Sequence, residues 1–104
     1  MYRLEVLPLA KEDMVGIVGY IGRELKNPTA ANRLADEFFK AMESLTDFPY
    51  ANPVLVPIRP LKFEYRKLMV GNYTLFYRVR EPEKLVTVAR VLYSKREFSI
   101  ANFQ

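Results

Sequence analysis

The sequence predicts an α+β fold: an N-terminal strand, an antiparallel helical hairpin, then a three-strand antiparallel meander, with the helices on one face of a small sheet. Two observations carry this. From Glu64 to Tyr93, β-branched and aromatic residues dominate, broken only at Gly71-Asn72 and Glu81-Pro82-Glu83. Such runs suit pleated, half-buried strands. Before them, two stretches place apolar residues at helical spacing, joined by a short link at Asn27-Pro28, which suits antiparallel helices.

Taken in order, Tyr2-Arg3-Leu4-Glu5-Val6-Leu7 alternates and reads as a short strand. Pro8 ends it and can open a helix. Between Ala10 and Leu25, residues Met14, Ile17, Val18, Ile21 and Leu25 fall on one stripe. Gly16, Gly19 and Gly22, spaced by three, either admit a neighbour along one side or mark a weak helix, each costing roughly 1 kcal/mol relative to Ala. Asn27 can cap the next helix, and Pro28 fits its first turn. From Thr29 to Thr46, a second stripe is made by Ala31, Leu34, Ala35, Phe38, Met42 and Leu45. Asp47 to Phe63, with four prolines, is an irregular connection whose Phe48, Tyr50, Val54, Leu55 and Ile58 need burial. Gly71-Asn72 sets a tight hairpin turn, because both positions tolerate positive φ. It pairs Val70 with Tyr73, Leu68 with Leu75 and Lys67 with Phe76. The break before the last strand spans three or four residues, so that strand's register stays open, and a one-residue slip would swap its faces.

The chain of 104 residues fits one domain, 1–104. It has no long apolar run, so neither a membrane span nor a leader peptide is expected. It contains no Cys and no His. Thiol catalysis, disulfides, histidine acid–base work and ordinary zinc ligation drop out. No metal or cofactor is expected, any proton transfer falls to Glu, Asp, Lys, Tyr or water, and the lack of Cys suits a cytoplasmic location. The net charge of +4 and pI near 9.4 permit a polyanion or an acidic protein as partner.

The hairpin separates two faces. One carries Leu68, Val70, Tyr73, Leu75, Tyr77 and Val79, with Arg66 at its far end, and is the core face. The other carries Tyr65, Lys67, Met69, Thr74, Phe76, Arg78 and Arg80. The helices can cover one face only, so this basic and aromatic face is the candidate working surface. Arg66, opposite Tyr77, reads as a stacking or hydrogen-bonding residue, and Tyr73 and Tyr77 read as core. Arg90, inside an apolar strand, reads as the partner of a carboxylate or as an interface residue.

As a set, several motifs resemble the RelE/ParE superfamily of bacterial toxins from type II toxin–antitoxin pairs. They are Tyr65-Arg66-Lys67-Leu68 with Val70-Gly71-Asn72-Tyr73, Phe76-Tyr77-Arg78-Val79, and Arg90-Val91-Leu92-Tyr93-Ser94-Lys95-Arg96-Glu97, joined by Asn27-Pro28 with Ala30-Ala31. The resemblance implies growth inhibition and plasmid stabilisation, with the toxin neutralised by a small antitoxin that wraps it in an oligomeric complex, and the positive net charge calls for an acidic one. The resemblance also implies one of two targets: DNA gyrase, or mRNA on the translating ribosome. Lys67 sits where the ribonuclease members carry a Lys and Arg96 where they carry an Arg. Thr74 stands where many carry an Arg, and Asn102 about where some carry a tyrosine.

For RNA cleavage, Lys67, Arg78 and Arg96 would stabilise phosphate charge, Tyr93 or Glu97 would move a proton, and Tyr65 or Phe76 would stack on a base. Arg78, Lys95 and Arg90, with the two rings, serve equally as RNA- or partner-binding groups. Taken singly, Lys67 and Arg78 also read as a solvated strand face, and Lys95-Arg96 as a basic strand end paired with Glu97. The departures at Thr74 and Asn102 weigh against RNA cleavage, and the helix-opening Asn27-Pro28 with the Val70-Gly71-Asn72-Tyr73 run is more similar to the gyrase-directed branch, so the target leans toward gyrase. A ribonuclease, and a degenerate member that only binds its antitoxin, stay open as alternatives.

Overall fold

The computed structural model describes residues 1–56 and 61–95. Strand β1 (Arg3–Val6) leads into helix α1 (Pro8–Gly19), which ends in a π-helical turn at Tyr20–Glu24. Helix α2 (Pro28–Asp47) follows, then strands β2 (Arg66–Val70), β3 (Tyr73–Arg80) and β4 (Leu85–Tyr93), with a short 3-10 turn at Glu81–Glu83. The sheet order is β1-β4-β3-β2. β2, β3 and β4 form the expected antiparallel meander. β1 joins β4 in parallel, which makes the sheet mixed.

Local chemistry explains the boundaries. Pro8 occupies the first turn of α1, where a missing N–H is harmless. The π turn bonds the Leu25 N–H to the Tyr20 carbonyl, and Lys26 closes it at a φ of 51°. The Asn27 side chain then accepts from the Ala30 N–H at 3.1 Å, capping α2. At the hairpin, Gly71 holds a φ of 58°, the conformation for which glycine was read there.

The predicted hairpin register is the observed one: Val70 opposite Tyr73, Leu68 opposite Leu75, Lys67 opposite Phe76. The β4 register resolves through a bulge at Ala89: Tyr77 pairs with Val88, and Phe76 with Arg90. Strict alternation after Val86 and Val88 would carry Arg90 into the core. The extra residue puts Val91 there instead, 1% exposed.

The core lies between the helices and the first hairpin face. Ala10, Leu34, Phe38, Leu45, Val70, Leu75, Tyr77, Val86, Val88 and Val91 form one buried cluster. Ala35 is exposed, contrary to the stripe read for α2. The helix seats itself along Ala31, Leu34, Phe38 and Leu45, which leaves Ala35 on the rim. Phe48 and Tyr50 also stay exposed, at 68% and 49%, because residues 53–55 pair along the outer edge at Tyr65–Lys67 rather than passing under the sheet. Ile58 lies outside the described residues.

The three glycines of the first helical segment do not share one role. A Cβ at Gly22 would sit 3.4 Å from Ala31 Cβ, so Gly22 lets the helices approach. Nothing lies within 4 Å of a Cβ at Gly16, where glycine adds only unfolded-state entropy. Gly16→Ala is therefore expected to stabilise the fold by about 0.5–1 kcal/mol, read as a raised urea midpoint with an unchanged slope.

Candidate functional site

Lys67 stands exposed on the second hairpin face, beside Met69, which is 57% exposed. The rest of that face is largely withdrawn from solvent. Phe76 is 0% exposed, Thr74 and Leu92 3%, and Tyr65 6%. This corrects the expectation of an open face, and neither Phe76 nor Tyr65 presents its ring to solvent. Burial pushes the Tyr65 phenol above its ordinary pKa, and the Arg78 charge opposes that shift. The Thr74 hydroxyl lies 2.8 Å from Ser94 Oγ and 3.2 Å from Met69 Sδ. The position read as the place of an arginine thus holds a small, internally bonded hydroxyl.

Tyr93 pairs with Tyr73, and their rings meet edge to face at 5.9 Å, with Phe38 of α2 next to Tyr73 at 6.1 Å. Side chains alternate along a strand, so Tyr93 points to the helix face and Lys67 to the opposite one. The structure does not bring these two together. Lys95 is exposed just after β4. Arg96 and Glu97, the other two residues read as catalytic, lie outside the described residues, as does Asn102.

Arg90 takes the carboxylate expected as one of its two readings. Its Nε donates to Asp13 Oδ2 at 2.7 Å and its Nη2 to Oδ1 at 2.9 Å. Asp13 also accepts the Val91 N–H at 2.9 Å, a strand-edge donor that β1 is too short to reach. One carboxylate thereby ties α1 to the sheet edge. Its hydrogen bond is the first cause that raises the Arg90 pKa further above its ordinary value.

A cleft of about 190 Å³ opens at the other margin, lined by Tyr50, Phe63, Glu64, Arg66, Arg78 and Val79. Strand lengths create it. β2 starts at Arg66, opposite Tyr77, so Arg78, Val79 and Arg80 run past its end. Arg78 Cζ lies 3.5 Å from the Phe63 ring centroid, and Arg66 Cζ lies 5.1 Å from that of Tyr50. Arg66 also donates to the Asn52 carbonyl at 2.7 Å, which is the structural role read for it. The buried Tyr77 hydroxyl donates to the Pro49 carbonyl at 2.7 Å and accepts from Asn52 Nδ2 at 3.2 Å, anchoring the Tyr50 wall. Phe63, Glu64 and Tyr50 were not read as site residues. Tyr50 was read only as a residue needing burial, and the meeting of the three with Arg78 is a long-range packing that no local pattern encodes.

Beyond β3, Glu81 gathers three donors. Lys84 Nζ, the Tyr2 hydroxyl at 2.6 Å and the Tyr50 hydroxyl at 2.5 Å all reach its carboxylate. Led by the Lys84 bond, they hold its pKa at about 2, against an ordinary 4.5. The Tyr50 phenol is pushed up to about 12, chiefly by its bond to Glu81. The depressed carboxylate stabilises the fold fully above pH 4.5, and this contribution is lost as the pH falls toward 2. Between pH 5 and 2.5, the melting temperature of Glu81→Gln should therefore fall less steeply than that of the parent chain. Parallel curves would remove Glu81 from the acid response.

The element order and the mixed four-stranded sheet define a small α+β fold. The same fold occurs in a chain of the archaeal RelE–RelB complex from Pyrococcus horikoshii OT3, with a TM-score of 0.53 and 16% identity over 92% of this chain and 98% of that one. At this identity the likeness is one of fold. Residues 4–98 match the family of ParE toxins of type II toxin–antitoxin systems, parDE, and the chain belongs to that family. No curated protein sequence matches it.

Proposed function

We propose that this toxin arrests growth in the cytoplasm by inhibiting DNA gyrase, and that a small acidic antitoxin holds it inactive. The observation that carries the gyrase reading is Thr74. Where the resemblance places an arginine in many ribonuclease members, this chain has a hydroxyl 3% exposed and bonded to Ser94. A phosphate-stabilising cation is worth on the order of 10²-fold or more in rate, so its absence weighs against RNA cleavage. The separation of Tyr93 from Lys67 across the sheet points the same way, since acid–base partners need hydrogen-bond reach of one substrate. The antitoxin follows from the family and from the archaeal RelE, which was solved with RelB. The positive net charge suits an acidic partner.

The test adds purified protein to a gyrase supercoiling reaction and, separately, to a translating extract. The proposal expects inhibited supercoiling and intact mRNA. Codon-dependent cuts with normal supercoiling would overturn it in favour of a ribosome-dependent ribonuclease using Lys67 and Arg96, with Tyr93 or Glu97 in proton transfer. Inactivity in both would leave a member that only binds its antitoxin.

A further inference from the structure

The cleft at the β2–β3 margin has the make-up of an anion site, and it gathers Arg78 with Phe63, Tyr50 and Arg66 in a way that the reading of Arg78 alone did not contain. Its strongest feature is Arg78. Among the described residues this guanidinium has no ion pair, and its Cζ lies over the Phe63 ring, 3.5 Å from the centroid. Stacking on a ring fixes the plane of a guanidinium while leaving its N–H edge open. A fixed fork of that kind matches a carboxylate with two parallel hydrogen bonds. Lys62 Nζ, 5.3 Å from the same ring, and Arg66 on the Tyr50 side add positive field. Glu64 is the one acidic wall, 3.8 Å from Arg66 Nη2 and mostly exposed, and an entering carboxylate can displace it. Phe63 and Tyr50, 39% and 49% exposed, supply apolar surface beside the charges.

We infer that this cleft seats an acidic side chain, Asp or Glu flanked by apolar residues, from a peptide segment of the antitoxin. The inference rests on the antitoxin reading given above. Size and charge favour a peptide over a nucleic acid. The cleft of about 190 Å³ holds a side chain rather than a nucleotide, and Glu64 at its rim repels a run of phosphates more than a single carboxylate. The combination of an open fork with aromatic walls is also the kind of pocket in which interface energy concentrates.

The experiment pans a display library of random twelve-residue peptides against the full chain and titrates the enriched peptides by fluorescence anisotropy. Enriched sequences should carry Asp or Glu next to apolar residues. Changing that acid to its amide, or Arg78→Gln in the protein, should each weaken binding roughly tenfold or more. The two changes together should cost little more than either alone, the mark of a direct pair. Arg78→Lys, which keeps the charge and loses the fork, should restore only part of the affinity, and unchanged melting curves would show that both variants fold. Absence of enrichment, enrichment without acids, or equal binding to Arg78→Gln would overturn the inference. So would displacement of the peptides by a ten-nucleotide oligouridylate whose own binding is lost in Arg78→Gln, which would make the cleft a phosphate site. Growth arrest by the parent chain is scored separately: its absence counts against the toxin reading, whereas arrest with acid-indifferent peptides counts against the cleft alone.

Discussion

Tyr77→Ala should cost about 3–5 kcal/mol, the range for removing a large buried aromatic. Tyr77 is 0% exposed and stands at the centre of the helix-facing cluster. Its ring fills the space between the sheet and the helices, and its hydroxyl holds the connection after α2 through the Pro49 carbonyl and the Asn52 amide. Tyr77→Phe separates the two contributions. It keeps the ring and leaves two polar partners without their bond, which should cost about 1–2 kcal/mol. Urea unfolding of both variants checks the ranking. A Tyr77→Phe loss equal to that of Tyr77→Ala would place the energy in the hydroxyl contacts instead of the packing. The milder variant should also loosen the Tyr50 side of the cleft, seen as faster hydrogen exchange over residues 49–54.

Asp13→Ala should destabilise by about 2–4 kcal/mol. Asp13 and Arg90 have side chains only 14% and 15% exposed, so the pair is well removed from water. Truncating the acid strips Arg90 of two charge-assisted bonds and leaves the Val91 N–H without its acceptor. Breaking one side of such a pair is expensive because the remaining charge stays desolvated. Asp13→Asn retains an acceptor for the Val91 N–H and should recover part of the loss. An Asp13→Ala variant within 0.5 kcal/mol of the parent, by chemical denaturation, would contradict this role.

These two residues also mark what was legible in the sequence. Tyr77 was readable as core because Gly71-Asn72 fixes the hairpin register, and period-two alternation then assigns every side chain from Arg66 to Val79 to a face. The partner of Arg90 was readable only as some carboxylate. Asp13 is 77 positions away, and its approach depends on β1 lying parallel to β4 and stopping at Val6, a long-range pairing that no local pattern encodes. The bulge at Ala89 was hidden for a related reason: the bare alternation Val86, Val88, Arg90 gives no sign of an inserted residue. The second sheet face looked open because helices can cover only one side, yet Phe76 and Thr74 are buried. Of the site, Lys67 and Arg78 were placed on the right strand and face by pattern. The separation of Lys67 from Tyr93 needed the observed β4 register, and the cleft needed the path of the proline-rich connection.

The most direct test of the account is viability after induction of this chain in bacterial cells that supply no partner. An active growth-arresting toxin predicts a fall in colony-forming units soon after induction, reversed when a neutralising acidic antitoxin is co-expressed. Undiminished growth with the protein accumulating in soluble, folded form would contradict it.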